Sequence, residues 1–102
     1  MTDLEMQFNG DMSFICREAR KIGYNPKIFA AMVGEYGGLA TAKKLVMQDK
    51  PTDGYIRLFE LNRLDLTAER FVVEPKYKEL FTENEIQACR KRLKEYGFKG
   101  IN

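Results

Sequence analysis

The sequence predicts an all-α fold, a compact single-domain orthogonal bundle of five to seven helices, several of them short. Three observations predict it. Apolar residues recur at spacings of three and four along most of the chain, the period of one helix face. Helix-starting residues (Thr2, Asn25-Pro26, Thr52 or Asp53, Asp65 or Thr67, Thr82) alternate with helix stops (Gly23, Gly37-Gly38, Pro51, Pro75, Gly97). With 102 residues, of which 44% are apolar and 31% charged, the chain is long enough to bury one core and too apolar to stay disordered.

The first helix begins at Thr2, where T-D-L-E matches a capping box closing on Glu5. Leu4, Phe8, Met12, Ile15, Ala19 and Ile22 then form one apolar stripe, interrupted by the turn-favouring pair Asn9-Gly10. Two readings fit. Either one helix runs through a weak point there, or a helix starts at Asp11 behind a loosely attached extension of residues 1–10. Asp11 to Ile22 is helical in both, with Gly23 as the stop. Asn25 and Pro26 start the second helix, as N-cap and first helical residue. Its apolar face is Ile28, Phe29, Met32, Val33 and Tyr36, and Gly37-Gly38 ends it.

Leu39, Ala42, Leu45 and Val46 carry a third helix that stops before Lys50-Pro51, because a residue preceding proline avoids the helical region. Gly38, Ala40 and Ala42 are small enough to admit a close neighbour. Thr52 or Asp53 caps a fourth helix through Tyr55, Ile56, Leu58, Phe59 and Leu61. Arg63 to Leu66 alternates polar and apolar and reads as extended. Asp65 or Thr67 caps a helix of two turns with Leu64, Ala68, Phe71 and Val72 facing inward, ended by Glu74-Pro75. Tyr77, Leu80 and Phe81 suggest one further turn. The last helix opens on a capping box, Thr82 with Glu85, and a hydrophobic staple, Phe81 with Ile86. Ile86, Cys89, Leu93 and Tyr96 are its buried stripe. Gly97 caps it and Phe98 folds back on the last turn.

Composition removes several classes of function. Histidine is absent, which takes away the commonest general base and the commonest zinc ligand, and two lone cysteines cannot build a structural zinc site. No P-loop, dinucleotide fingerprint or serine elbow occurs, and no metal or cofactor is implied. Cys16 and Cys89 read as reduced core residues. The amino-terminal residues do not read as a signal peptide, and no apolar run approaches the roughly 20 residues of a membrane span. The expectation is a cytoplasmic protein with no membrane partner and no enzymatic activity.

Charge is nearly balanced, with 17 basic and 15 acidic residues. Residues 1–62 carry eight of each sign, so the excess of +2 lies in residues 63–102, nine basic against seven acidic. Arg90, Lys91, Arg92 and Lys94 concentrate it near the negative end of the last helix, where basic residues are favoured anyway and can pair with Glu83, Glu85 or Glu95. Arg90, Lys91 and Lys94 are candidate partner-binding residues. So are Arg63 and Asp65, which otherwise brace the fold, Asp65 on a helix start and Arg63 on a carbonyl or Glu69. The five tyrosines read as half-buried with hydroxyls at the surface. The expected function is a small binding module acting through protein–protein contact, with homo-oligomerisation open. The alternative is a helix-turn-helix DNA-binding regulator built from residues 28–36, 39–48 and 53–61, with Arg57, Arg90, Lys91 and Lys94 on nucleic acid.

From about Tyr24 onward, the segments EYGGLATAKKL (35–45), DGYIRLFELNRLDLTAERFVVEP (53–75) and KELFTENEI (78–86) resemble a family of small uncharacterised bacterial and phage helical proteins. RLDLT followed by Glu, and later LFT, carries the resemblance best. That family has no established activity, cofactor or site residues. The resemblance implies a stand-alone helical module of prokaryotic or phage origin that works beside a larger system; the expected binding module is then an accessory or inhibitor encoded on a phage or mobile element.

Overall fold

The structure, a computed structural model, describes residues 2–100. Among these, six α-helices and two 3₁₀ helices follow one another with no strand between them. The helices are α1 (Asp3–Lys21), α2 (Lys27–Tyr36), α3 (Gly38–Val46), α4 (Asp53–Glu60), α5 (Ala68–Val72) and α6 (Glu83–Glu95). The 3₁₀ helices, Leu64–Leu66 and Pro75–Leu80, flank α5. The all-α reading is therefore correct, and no helix among the described residues is long and apolar enough to cross a membrane.

α1 is the spine, packing against α2, α3 and α5. Thr2 caps it by accepting from the Glu5 amide at 3.1 Å. The helix continues through Asn9-Gly10, so residues 3–10 are its first turns, and Phe8 is wholly buried. Tertiary packing outweighs the local preference of Asn-Gly for a turn. Asn9 takes a structural role instead, its Oδ1 accepting from the Leu39 amide at 2.9 Å. The main core joins Phe8, Met12 and Ile15 of α1 to Ala42 and Val46 of α3, Val72 of α5, Tyr77, Phe81, and Ile86 and Cys89 of α6. Smaller clusters centre on Ala19, Leu58 and Leu66, and on Tyr55, Leu64 and Leu93. Cys16 and Cys89 are buried free thiols.

α1 and α3 approach closely at Gly38. A Cβ there would stand 2.9 Å from both the Asn9 Cα and the Met12 Cγ. Gly38→Ala is therefore expected to cost about 1–3 kcal/mol by overpacking. Because Gly38 is the first residue of α3, the propensity gain of alanine in a helix interior does not offset this. The check is a lower urea midpoint at unchanged slope. An unchanged midpoint would mean that the helices tolerate a wider spacing.

Several local expectations change in the structure. Asn25 does not cap α2, because its Oδ1 accepts from Arg20 Nε at 3.2 Å and Pro26 occupies the N-cap. Arg63–Leu66 is not extended: the backbone tightens into a 3₁₀ turn so that Leu64 and Leu66 both reach the core. Thr67, not Asp65, caps α5, accepting from the Arg70 amide at 3.3 Å. α4 ends on Asn62 in the left-handed region (φ 59°), with the Arg63 amide donating back to the Leu58 carbonyl. The capping box of α6 is complete, Thr82 and Glu85 each accepting from the other's backbone amide.

Candidate functional site

α2 has the composition of a buried helix, KIFAAMVGEY, yet none of its residues is fully buried. A helix apolar on most sides normally sits inside a core. Here Phe29 and Val33 pack on the main core from one side, while Ile28 remains 79% exposed and Tyr36 51% exposed. Apolar surface is left over on a helix that the rest of the chain does not cover.

Beside α2 lies a cleft of about 680 Å³, open to solvent. It is lined by Ile28, Phe29 and Met32 of α2, Leu45 of α3, Pro51, and the buried Ile15, Leu58 and Leu66. The start of α4 also lines it, and Thr52 caps that helix by accepting from the Tyr55 amide at 3.1 Å. The size and the apolar lining suit a binding site. Lys27 and Lys44 stand at its edge with Asp53.

One charged pair underlies the cleft. Glu69 lines it and is 4% exposed. Its Oε2 accepts from Arg92 at 3.0 Å, and a second Arg92 nitrogen donates to the Gln48 carbonyl at 2.6 Å. The Tyr55 hydroxyl donates to the Arg92 carbonyl at 3.3 Å. Burial pushes the Glu69 carboxyl upward, against the pull of Arg92. The group fastens α5, α6 and the segment after α3 into a rigid wall. Burial likewise raises the Tyr55 hydroxyl.

The residues singled out by sequence do not converge on this cleft. Arg63 and Asp65 pair with each other, Nε–Oδ1 at 3.0 Å and the second contact at 3.1 Å, across the first 3₁₀ turn. Arg63 therefore reaches neither a carbonyl nor Glu69, and Asp65 does not brace α5. Arg90 is half-buried, with Nε lacking a hydrogen-bond partner. Lys91 and Lys94 are exposed, and Lys91 lines a smaller cleft of about 340 Å³ with Met47, Glu95 and Tyr96. Arg92 belongs to Glu69, not to the acids of its own helix, because it points inward. Tyr55 and Tyr77 are buried rather than half-buried, and the Tyr77 hydroxyl donates to Asp11. In the stretch assigned to a helix-turn-helix, α2 and α3 pack together, but α4 packs chiefly on the first 3₁₀ helix. Its Arg57 faces Glu60 at 3.8 Å.

Glu85 joins the α6 cap to α3, where Lys43 Nζ donates to it at 2.8 Å. Burial acts to raise its carboxyl, but Lys43 and the Thr82 backbone outweigh that and hold it below the ordinary carboxylate value. A depressed pKa contributes stability that is present above the unfolded value, about 4.3, and lost as pH falls below it. Glu85→Gln can still close the capping box, so it removes mainly the charge. The expected loss is about 1 kcal/mol at pH 7, shrinking as the pH falls through the lowered folded-state value. Urea unfolding of both proteins across that range checks it; a pH-independent difference would mean that the ion pair contributes nothing.

Comparison with protein-family profiles, curated proteins and solved structures gives no match to this chain.

Proposed function

We propose that this chain is a non-enzymatic cytoplasmic binding module that acts by protein–protein contact, with the cleft beside α2 as its docking surface. The observation that carries the reading is α2 itself: an apolar helix with no fully buried residue, its Ile28 side chain 79% exposed at the cleft edge. Exposed apolar surface next to a formed cleft is the usual mark of an interaction site. Catalysis is not needed to account for the buried carboxyl of the cleft, because Glu69 is held by Arg92 as part of the wall. An accessory or inhibitor role on a phage or mobile element belongs to the same proposal, its origin taken from the resemblance of RLDLT and LFT to small phage and bacterial proteins.

The test is affinity capture from the native host, with and without nuclease treatment, with wild type and Ile28→Asp side by side. Ile28 is too exposed for its replacement to shift stability by more than about 0.5 kcal/mol. A protein retained by wild type and lost from the variant is the expected result. Retention of nucleic acid, or of the same protein by both forms, would overturn the reading.

A further inference from the structure

We infer, resting on the docking role just proposed, that the cleft takes an amphipathic α-helix of a partner protein carrying an acidic residue opposite Lys27 and Lys44. Three features favour this occupant. First, the uncovered apolar surface extends past the cleft. Ile28 to Tyr36 spans about 12 Å along α2 at the helical rise, and Tyr36 does not line the cleft. A small ligand inside the cleft would leave Tyr36 in water, whereas a helix lying along α2 covers both ends.

Second, the described residues contain no strand, so they offer no sheet edge for an extended peptide to join. Among the modes that remain, a helix laid in an apolar groove between helices, anchored by residues at i, i+3 or i+4, and i+7, fits the uncovered length of α2. The lining suits such anchors: Met32 is flexible and adapts to varied side chains, and Leu45, Pro51 and Leu66 present aliphatic surface.

Third, the charges at the edge are incompletely balanced. Neither Lys27 nor Lys44 meets a carboxylate at ion-pair distance among the described residues, and the Lys44 ammonium instead stands 5.1 Å from the Tyr36 ring. Asp53, the acid of the same edge, lies in the first turn of α4, where the helix dipole favours it. Glu69 is neutralised by Arg92. The edge therefore presents two cations and one acid already in a favourable place, which selects an acidic helix over a basic one.

A displayed library of randomised helical peptides, panned on the whole protein, tests the inference. Enriched peptides are expected to carry apolar residues at helical spacing with Asp or Glu beside them. Their binding should fall about tenfold or more in Ile28→Asp and about two- to fivefold in Lys44→Glu. Exchanging the peptide acid for Lys should restore binding to Lys44→Glu. Peptides that depend on Ile28 but carry no acid, or that ignore Lys27→Glu and Lys44→Glu, would overturn the acidic-helix inference and leave the docking role standing. Enrichment only of peptides indifferent to Ile28→Asp, or no enrichment at all, would overturn it as well. The nuclease-treated capture separately decides the docking role.

Discussion

Arg92→Met is expected to lower stability by about 3–5 kcal/mol, because it strands the Glu69 carboxylate inside the protein without its partner. The Glu69 side chain is 5% exposed and that of Arg92 11%, so water cannot replace the lost bond. Arg92 also holds the Gln48 carbonyl, which frees the segment after α3 when the guanidinium is removed. The double variant Glu69→Leu with Arg92→Met should recover most of the loss, since an apolar pair of similar size has no charge to desolvate. Denaturant unfolding of the single and double variants closes the cycle. If the single replacement costs under 1 kcal/mol, the pair is better hydrated than its burial indicates, and the cleft wall is not fastened by it.

Phe8→Ala is expected to cost about 3–5 kcal/mol, the range for a buried aromatic replaced by alanine. The ring is wholly buried, with centroids 5.0 Å from Tyr77 and 5.2 Å from Phe81. Its removal would open a cavity between α1 and the second 3₁₀ helix. Domains of this kind are stable by only about 5–15 kcal/mol, so the variant should lose a large share of its stability and melt many degrees lower. A shift in thermal midpoint of only a degree or two would instead mean that residues 2–10 are loosely attached to the domain.

The helical class was legible because caps and stops act locally. Thr52, Thr82 and Gly97 do in the structure what their chemistry suggests in isolation: two hydroxyls accept from helix amides, and one glycine takes a positive φ. Where a residue had both a local and a distant option, the local reading failed. Asn9-Gly10 leaves open a weak point or a break, and burial of Phe8 and Met12 on either side keeps the helix whole. Arg92 reads as one of four solvated cations, and only the fold reveals that Glu69, far away in sequence, waits for it. The cleft was half legible. The apolar run of α2 was visible, but an apolar helix in a sequence is normally assigned to the core, and its incomplete burial depends on where α4 goes. A sequence signal did exist: Ile28, Phe29, Met32, Val33 and Tyr36 make a broad apolar face, of which Phe29 and Val33 dock on the main core.

The most direct test of the docking role is site-specific photo-crosslinking in native-host cells, with benzoylphenylalanine placed at Ile28 in one protein and at the exposed Lys78, outside the cleft, in another. A cleft that docks a protein predicts one discrete, nuclease-resistant protein adduct from position 28 and none from position 78. Equal adducts from both positions, or crosslinks from neither, would contradict it.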